Sequence, residues 1–403
     1  MHDAYDVEAV RAHFPALAEG AAHFDGPGGS QVPVEVATAV SAALSSAVSN
    51  RGTLTPAARR ADDIVHGARH AMADLLGADA QGIVFGRSMT SLTFDFARTL
   101  AKTWSAGDEV VVTKLDHDGN IRPWTIAAAT RGVTVRWAEF DPTTGELGLD
   151  DIRKVLGPRT RLVAVTAASN LIGTRPDLEA IADLVHEAGA LLYVDAVHAA
   201  AHSPLDLATS GADFLVCSPY KFFGPHCGVL AARPETLEGL QPDKLLPSTD
   251  AVPERFELGT LPYELLAGCT AAVDFIAGFG AHHAAGRRSR LQSAMATIQR
   301  YEDRRRAELD VMLAQLPGVV SYSRATHRTP TLLIDVEQRS AQASQFLAER
   351  GVNAPAGAFY AMEASRVLGL GDAGALRVGV APYTNASDID RLVDGVTSFL
   401  RSA

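Results

Sequence analysis

The chain has 403 residues, 47% of them hydrophobic, enough to bury a large core and to form about two domains. Its formal net charge of -11 leaves no basic stripe to neutralise phosphates, which argues against a general nucleic-acid binder. Three cysteines without a CxxC pair or metal-ligand spacing argue against a disulfide framework or a zinc site.

The N-terminus shows no targeting signal. Residues 1–8 lack the basic and apolar regions of a secretory signal, and no uncharged run in the chain approaches the length of a membrane span. We therefore expect a soluble protein of the cytoplasm that makes no membrane contact.

Short apolar segments alternate with longer amphipathic segments between residues 82 and 230. This pattern is typical of an α/β fold, in which helices cover a mostly parallel sheet. The predicted strands span residues 82–85, 109–113, 134–138, 162–166, 191–194, 214–217 and 229–232.

The rest of the sequence, from residue 239 onward, contains a second, smaller predicted domain. Residues 239–261 predict an irregular excursion, followed by the predicted long helices 267–285 and 287–316 and the apolar runs 331–336 and 376–380. We interpret this as a small α+β C-terminal domain. The predicted division is a large domain over residues 21–285 and a small domain over residues 286–403, which also takes up the N-terminal segment 1–20.

The first predicted strand, 82–85, runs through small and hydroxyl residues into a predicted helix over residues 92–102. Free backbone amides and the dipole at a helix N-terminus favour an anion such as phosphate. We expect the Thr90 hydroxyl to add a hydrogen bond, whereas Met89 offers only its backbone. A simple helix cap is the alternative.

The most informative segment is residues 191–230, LLYVDAVHAAAHSPLDLATSGADFLVCSPYKFFGPHCGVL. Asp195 follows one predicted strand and Lys221 the next, so both are expected at the sheet edge where ligands bind. Pyridoxal phosphate needs a lysine amine for its Schiff base and a carboxylate against its pyridinium nitrogen. Lys221 and Asp195 therefore predict this coenzyme. The alternative is an ordinary loop lysine and a helix-capping aspartate.

Two stretches carry a family resemblance: Val194-Asp-Ala-Val-His198 and Ser218-Pro-Tyr-Lys-Phe-Phe-Gly-Pro225. They resemble the class V aminotransferase family on its cysteine-desulfurase-like branch, and the likeness extends over nearly the whole chain. The resemblance implies a fold-type I pyridoxal phosphate enzyme that acts at Cα of an amino acid through an external aldimine. It also implies a homodimer with active sites at the subunit interface.

The resemblance assigns roles around the coenzyme ring. His117 matches the histidine that stacks on the ring and takes part in proton transfer. Asn170 matches the asparagine that hydrogen-bonds the phenolic oxygen, and His198 stands where the family has glutamine or histidine near that oxygen. The aspartates on either side of His117 do not predict a metal site, because no histidine or glutamate partner follows at helical ligand spacing.

The phosphate and the substrate also receive residues through the resemblance. Ser218 and Tyr220 resemble further phosphate ligands, and Thr260 resembles a residue that reaches the phosphate of the partner subunit. Arg377 matches the arginine that binds the substrate carboxylate, for which the planar guanidinium fork is suited. A salt bridge is the alternative for this arginine. Asn50 and Arg51 are predicted to contribute to the substrate pocket.

Residues 354–361 depart from the desulfurase pattern. A desulfurase carries a nucleophilic cysteine on a mobile loop in this region, whereas the last cysteine here is Cys269. Attack on sulfur requires a thiolate, so persulfide transfer is in doubt. Cys227 is near Lys221 in sequence but is expected on the far side of the turn.

The remaining chemistry begins with removal of the Cα proton by the amine of Lys221. β-Elimination, a C–S lyase reaction in which His117 supplies the acid, and transamination are the favoured outcomes. A true cysteine desulfurase, an amino-acid epimerase and a non-catalytic coenzyme-binding sensor are the alternatives. The sequence does not identify the substrate.

Overall fold

A computed structural model describes residues 5–280 and 284–402. The strands are β1 (Ala22–His23), β2 (Ile83–Gly86), β3 (Glu109–Thr113), β4 (Thr134–Ala138), β5 (Thr160–Thr166), β6 (Leu191–Asp195), β7 (Phe214–Cys217), β8 (Gly228–Ala232), β9 (Val319–Ser321), β10 (Thr331–Val336), β11 (Val352–Asn353), β12 (Ala356–Gly357) and β13 (Ala375–Gly379). The helices are α1 (Val7–Arg11), α2 (Val34–Ser45), α3 (Pro56–Leu76), α4 (Met89–Ala101), α5 (Arg122–Arg131), α6 (Leu149–Arg153), α7 (Leu178–Glu187), α8 (Pro234–Glu238), α9 (Tyr263–Ala277), α10 (Gly286–Ala314), α11 (Ser340–Ala348), α12 (Met362–Val367) and α13 (Ala386–Arg401).

The larger sheet has seven strands in the order β2-β8-β7-β6-β5-β3-β4. The five strands from β7 to β4 are parallel, and β8 runs antiparallel to both of its neighbours. Alternate side chains of a strand point to opposite faces, and both faces are buried here. Val163 and Val165 of β5 pack in the core that includes α3 and α7, whereas Leu162 and Ala164 pack with α4 and α5. The predicted α/β class is therefore confirmed.

The predicted strands agree closely with this sheet. β3, β4 and β7 have the predicted bounds, and the other four strands differ by one or two residues at an end. The predicted irregular segment, 239–261, which the structure describes throughout, contains a single 3₁₀ turn, Glu254–Phe256, and no other helix or strand.

Two predicted helices have wrong boundaries. α4 begins at Met89 instead of residue 92, because Ser88 caps it: the Ser88 Oγ accepts from the Ser91 amide at 3.1 Å, and the Ser91 Oγ accepts from the Ser88 amide at 3.1 Å. The predicted helix 267–285 begins earlier, as α9, and ends at Ala277. A Cβ on Gly280 would lie 2.2 Å from the Arg290 carbonyl oxygen, so the chain turns tightly against α10. Residues 281–283 of that prediction lie outside the described residues.

The smaller sheet is antiparallel, in the order β12-β13-β10-β9. Its core is filled from β10, β13, α11, α13 and the end of α10. β1 pairs in parallel with β11, and Ala22 and Phe24 belong to this same core. Val10 and Phe14, in the segment before β1, belong instead to the core of the large sheet. The predicted domain boundaries stay a prediction.

Within residues 5–280 and 284–402, no helix is both long and apolar enough to cross a membrane. The cytoplasmic location stays a prediction.

Candidate active site

A cavity of about 590 Å³ lies where the parallel strands of the large sheet end, beside the first turn of α4. Loops after the carboxyl ends of such strands are where ligands bind in open α/β sheets. The structure brings most of the predicted site residues together in the cavity lining: Met89, Thr90, His117, Asn170, Asp195, His198, Ser218, Tyr220, Lys221 and Arg377.

Lys221 lies in a 3₁₀ turn, Pro219–Lys221, directly after β7. Its Nζ donates a hydrogen bond to the Pro27 carbonyl oxygen. Burial, followed by the charge of Arg377, lowers the pKa of Lys221 to about 7 against the opposing effect of Asp195. A large fraction of this amine is therefore neutral at pH 7, and a neutral amine can act as a nucleophile or a base.

Asp195 ends β6 and is buried, with 3% of its surface exposed. Its Oδ1 accepts a hydrogen bond from the Val197 amide at 2.9 Å. Burial raises the pKa of this carboxyl to about 6, against the opposing effects of the Val197 amide and the charge of Lys221. A cationic N–H group placed against Asp195 would favour its ionised form.

A second buried carboxyl, Asp116, lies close enough for the charge of Asp195 to affect it. The pKa of Asp116 is raised to about 8, mainly by burial, although the Thr113 hydroxyl and the Asn120 amide donate to it. The Asn120 Nδ2 is 2.7 Å from the Asp116 Oδ1. Across the described residues, no three His, Cys, Asp or Glu side chains converge as metal ligands.

The first turn of α4 lines the cavity and has a geometry suited to an anion. The amides of Met89 and Thr90 belong to the turn where helix geometry supplies no carbonyl partner. β8 passes directly beneath: a Cβ on Gly228 would lie 2.3 Å from the Ser88 carbonyl carbon and 2.6 Å from the Met89 nitrogen. Only glycine allows this close approach. Ser218, which is buried, completes the same side of the cavity.

His117 follows β3, and its tautomer is fixed by the backbone. The Gly119 amide donates to the His117 Nδ1 at 2.9 Å, so the ring hydrogen of the neutral form is on Nε2. Burial, followed by the charges of Lys221 and Arg377, lowers the pKa of His117 to about 4. At pH 7 the ring is neutral, and any proton that it supplies comes from the Nε2–H group.

Arg377 lies on β13 and reaches the cavity between the two sheets. It is 3% exposed, and burial lowers its pKa to about 9. One guanidinium nitrogen donates to the Asn170 carbonyl oxygen at 3.1 Å, whereas the Arg377 Nε is buried without a partner among the described residues. A buried cation with an unused N–H group is suited to an anionic ligand.

Asn170 and His198 also line the cavity. The Asn170 Nδ2 donates to the Phe359 carbonyl oxygen at 3.0 Å, and its Oδ1 is buried without a partner in the described part of the chain. The His198 Nε2 lies 3.0 Å from each of the Thr329 and Thr331 hydroxyl oxygens. Burial lowers the pKa of His198 well below its usual range, so this ring is neutral.

Three predicted site residues are not brought into the cavity of their own chain. Thr260 and Asn50 are exposed on the surface. Arg51 is bound by two carboxylates, with its Nε 2.7 Å from the Asp62 Oδ1 and a terminal nitrogen 3.1 Å from the Glu254 Oε1. These partners raise the pKa of Arg51 against the effect of burial and occupy its guanidinium.

Several residues of the cavity were missed from the sequence: Pro27, Gly28, Phe94, Asp118, Arg122, Phe359 and Tyr360. The Gly-Pro-Gly-Gly run at residues 26–29 was a visible turn signal. Nothing local connects it with Lys221, which is 194 residues away in sequence from Pro27. Phe359 and Tyr360 gave no signal beyond the missing cysteine.

The pKa of Lys221 leads to a prediction for coenzyme capture. Only the neutral amine attacks an aldehyde, so the rate of covalent capture of added pyridoxal phosphate should rise with pH and level off above about pH 7. Stopped-flow absorbance over a pH series measures this midpoint. In Arg377→Met the midpoint should move upward, because the charge of Arg377 helps to lower the pKa of Lys221. A wild-type midpoint near that of free lysine, about 10.4, would contradict the burial argument.

The chain is similar in sequence and in structure to several known proteins. The family described as aminotransferase class-V matches residues 22–392. An uncharacterized protein of Mycobacterium tuberculosis is 35% identical, covering 98% of this chain and 99% of its own length. A cysteine desulfurase of Klebsiella pneumoniae subsp. pneumoniae is 30% identical, covering 97% of this chain and 98% of its own. The crystal structure of the cysteine desulfurase CsdA from Escherichia coli, in its S-sulfonic acid form, has a TM-score of 0.87 at 26% identity and covers 99% of this chain and 100% of its own. The fold that the resemblance implied is confirmed.

Proposed function

Since the chain belongs to the class V aminotransferase family, on its cysteine-desulfurase-like branch, we propose that it is an enzyme acting at Cα of an amino acid, as a C–S lyase or an aminotransferase. The coenzyme that this family implies is pyridoxal phosphate. The observation that carries the proposal is a single cavity that contains Lys221, Asp195 and Arg377.

The cavity residues fit pyridoxal phosphate. Lys221 would hold the coenzyme covalently, Asp195 would face its pyridinium nitrogen, and His117 would cover its ring. The first turn of α4 and Ser218 would hold its phosphate. The Asn170 Oδ1 and the Arg377 Nε, which have no partner among the described residues, support a polar ligand. When bound, the coenzyme supplies an electron sink for the charge that develops at Cα.

The residues of the chain divide the remaining tasks. Arg377 binds the substrate carboxylate and so orients the amino acid. Lys221, with its pKa of about 7, is suited to take the Cα proton at neutral pH. The neutral His117 holds a proton on Nε2 within the same cavity.

Persulfide chemistry requires an accessible cysteine, and no cysteine among the described residues lines the cavity. The three cysteines, Cys217, Cys227 and Cys269, are buried, and none lines the cavity. The Cys227 Sγ lies 3.3 Å from the Cys269 Sγ. Burial raises the pKa of Cys217, and the contact with Cys227 together with burial raises that of Cys269. Thiols that are enclosed and lie outside the cavity favour the lyase or aminotransferase outcome over desulfuration.

Incubation with coenzyme and a pool of amino acids in heavy water, followed by mass spectrometry, tests the proposal. The pool includes cysteine and its S-conjugates. Deuterium at Cα identifies the substrate, and pyruvate with a thiol or a keto acid separates lyase from aminotransferase. Alanine with sulfane sulfur would instead identify a desulfurase, and a racemic product an epimerase. Coenzyme binding without any exchange would indicate a sensor.

The homodimer is part of the proposal, and Thr260 supports it. This residue is exposed and outside the cavity of its own chain, as expected for a residue that serves the partner subunit. We predict that Lys221→Ala and Thr260→Glu chains, each nearly inactive alone, regain about one quarter of wild-type exchange when co-expressed, because heterodimers contain one intact site.

Light scattering of the wild-type protein checks the mass of the dimer. A mixture of two Lys221→Ala preparations serves as the control and should regain nothing. If the co-expressed variants also regain nothing while forming dimers, Thr260 does not serve the partner's site.

A further inference from the structure

Phe359 and Tyr360 lie in residues 354–361, the region where a desulfurase carries its nucleophilic cysteine. Their backbone conformation is unusual. Their φ angles are 50° and 58°, in the left-handed region that residues with bulky side chains rarely adopt. Both side chains line the cavity. Such a conformation persists only where the surroundings hold it, and it is concentrated at functional sites.

The surroundings of this pair hold it firmly. The Asn170 Nδ2 donates to the Phe359 carbonyl oxygen at 3.0 Å, and the Asp118 amide donates to the Tyr360 carbonyl oxygen at 2.7 Å. On the preceding side, β12 pairs with β13, the strand that carries Arg377. The segment is therefore a fixed wall of the cavity, tied to loops of the large sheet and to the small sheet.

The Phe359 ring packs on the Arg377 guanidinium. The Arg377 Cζ lies 3.6 Å from the ring centroid, which is the distance of a face-on stack. A ring on the guanidinium face leaves the N–H groups in the guanidinium plane free. One of them reaches the Asn170 carbonyl oxygen, and the Nε has no partner among the described residues. The stack thus fixes the plane of the guanidinium where Arg377 lines the cavity.

Further aromatic side chains line the same cavity as Phe359 and Arg377. Phe94 lines the same cavity, and the Tyr360 ring lies 5.5 Å from the His117 ring. The charged groups at the rim neutralise one another: the Arg122 Nε is 2.8 Å from the Asp118 Oδ1, and another nitrogen of Arg122 is 2.7 Å from the Glu363 Oε1. The cavity that Arg377 lines therefore also presents the rings of Phe94, Phe359 and Tyr360 to a ligand.

We propose that Phe359 is a specificity-determining residue, which fixes the edge of Arg377 for the substrate carboxylate and forms an aromatic wall for the substrate side chain. The substrates are then amino acids whose side chains are apolar and larger than that of alanine. This inference rests on the proposed function, because it takes Arg377 as the carboxylate-binding residue.

Spectrophotometric titration of the coenzyme-loaded protein tests the inference with four probes: L-phenylalanine, L-methionine, L-alanine and L-cysteine. We expect phenylalanine and methionine to bind the wild type at least about tenfold more tightly than alanine. Phe359→Leu should remove most of this preference and weaken binding of all four by on the order of tenfold, since the guanidinium loses its stack. Phe359→Tyr, which keeps the ring, should retain both.

Phe346→Leu is the matched control. Phe346 also carries a stacked arginine, with the Arg350 Cζ 3.4 Å from its ring centroid, but it lies on α11, outside the cavity. This variant should titrate like the wild type. A general loss of folding would lower binding without changing the ratio between phenylalanine and alanine, so the ratio isolates the role of Phe359.

The outcomes separate the two proposals. Binding without a preference for large apolar side chains, or an unchanged ratio in Phe359→Leu, overturns the inference and leaves the proposed function standing. Bound coenzyme whose spectrum responds to none of the four probes, together with no Cα deuteration by any amino acid in the pool, overturns both.

Discussion

Replacing Lys221 with alanine is expected to abolish covalent attachment of pyridoxal phosphate and to lower Cα deuterium exchange by on the order of a thousandfold or more. The residue combines two tasks, since the same buried amine would hold the coenzyme and take the substrate proton. Its position supports both, because it lines the cavity beside Asp195 and its pKa is lowered to about 7. Borohydride reduction followed by peptide mapping measures attachment, and mass spectrometry of the amino acid measures exchange.

A control variant and a rescue experiment sharpen this test. Lys154→Ala removes a lysine whose side chain is 71% exposed and paired with Asp151, and it should behave like the wild type. In Lys221→Ala, an added small primary amine should restore part of the exchange, because it replaces the missing base. In the wild-type protein, a reduced coenzyme label on a lysine other than Lys221 would refute the assignment of Lys221 as the residue that binds the coenzyme.

A methyl group at Gly228 is expected to distort the first turn of α4, which we propose as the phosphate-binding site. The Cβ of Gly228→Ala would lie 2.3 Å from the Ser88 carbonyl carbon and 2.4 Å from its oxygen, and these backbone atoms cannot rotate away. β8 and the first turn of α4 must separate. We expect a loss of about 1–3 kcal/mol in the free energy of unfolding, typical of overpacking, and coenzyme binding weakened by about tenfold to a hundredfold.

Thermal unfolding and coenzyme titration measure the two effects separately. Gly67→Ala is the matched control, because Gly67 lies within α3 and a Cβ there would meet nothing within 4 Å. Alanine at that helical position should be neutral or stabilising by up to about 1 kcal/mol. Wild-type coenzyme affinity in Gly228→Ala would show that the phosphate is held elsewhere.

The sequence by itself was sufficient for the large sheet and for the centre of the site. Strands such as β3 and β7 are short apolar runs that are buried on both faces, so the local pattern located them within a residue or two. Asp195 and Lys221 could be assigned to one site because each follows such a strand, and parallel strands present their carboxyl ends at one edge. Helix starts were less certain, since the capping pair Ser88 and Ser91 was not recognised.

Only the tertiary structure decided the contacts between segments that are distant in sequence. Pro27 meets Lys221, and Phe359 stacks on Arg377, yet each residue looks ordinary in its own stretch of sequence. Arg51 was predicted for the substrate pocket, but its carboxylate partners come from α3 and from the irregular segment, and they retain it outside the cavity. Local patterns report which face of an element is buried, whereas the partner of a charge or a ring depends on how the elements pack. The lysine of the cavity could therefore be predicted from the sequence, but the aromatic wall proposed to select the substrate could not.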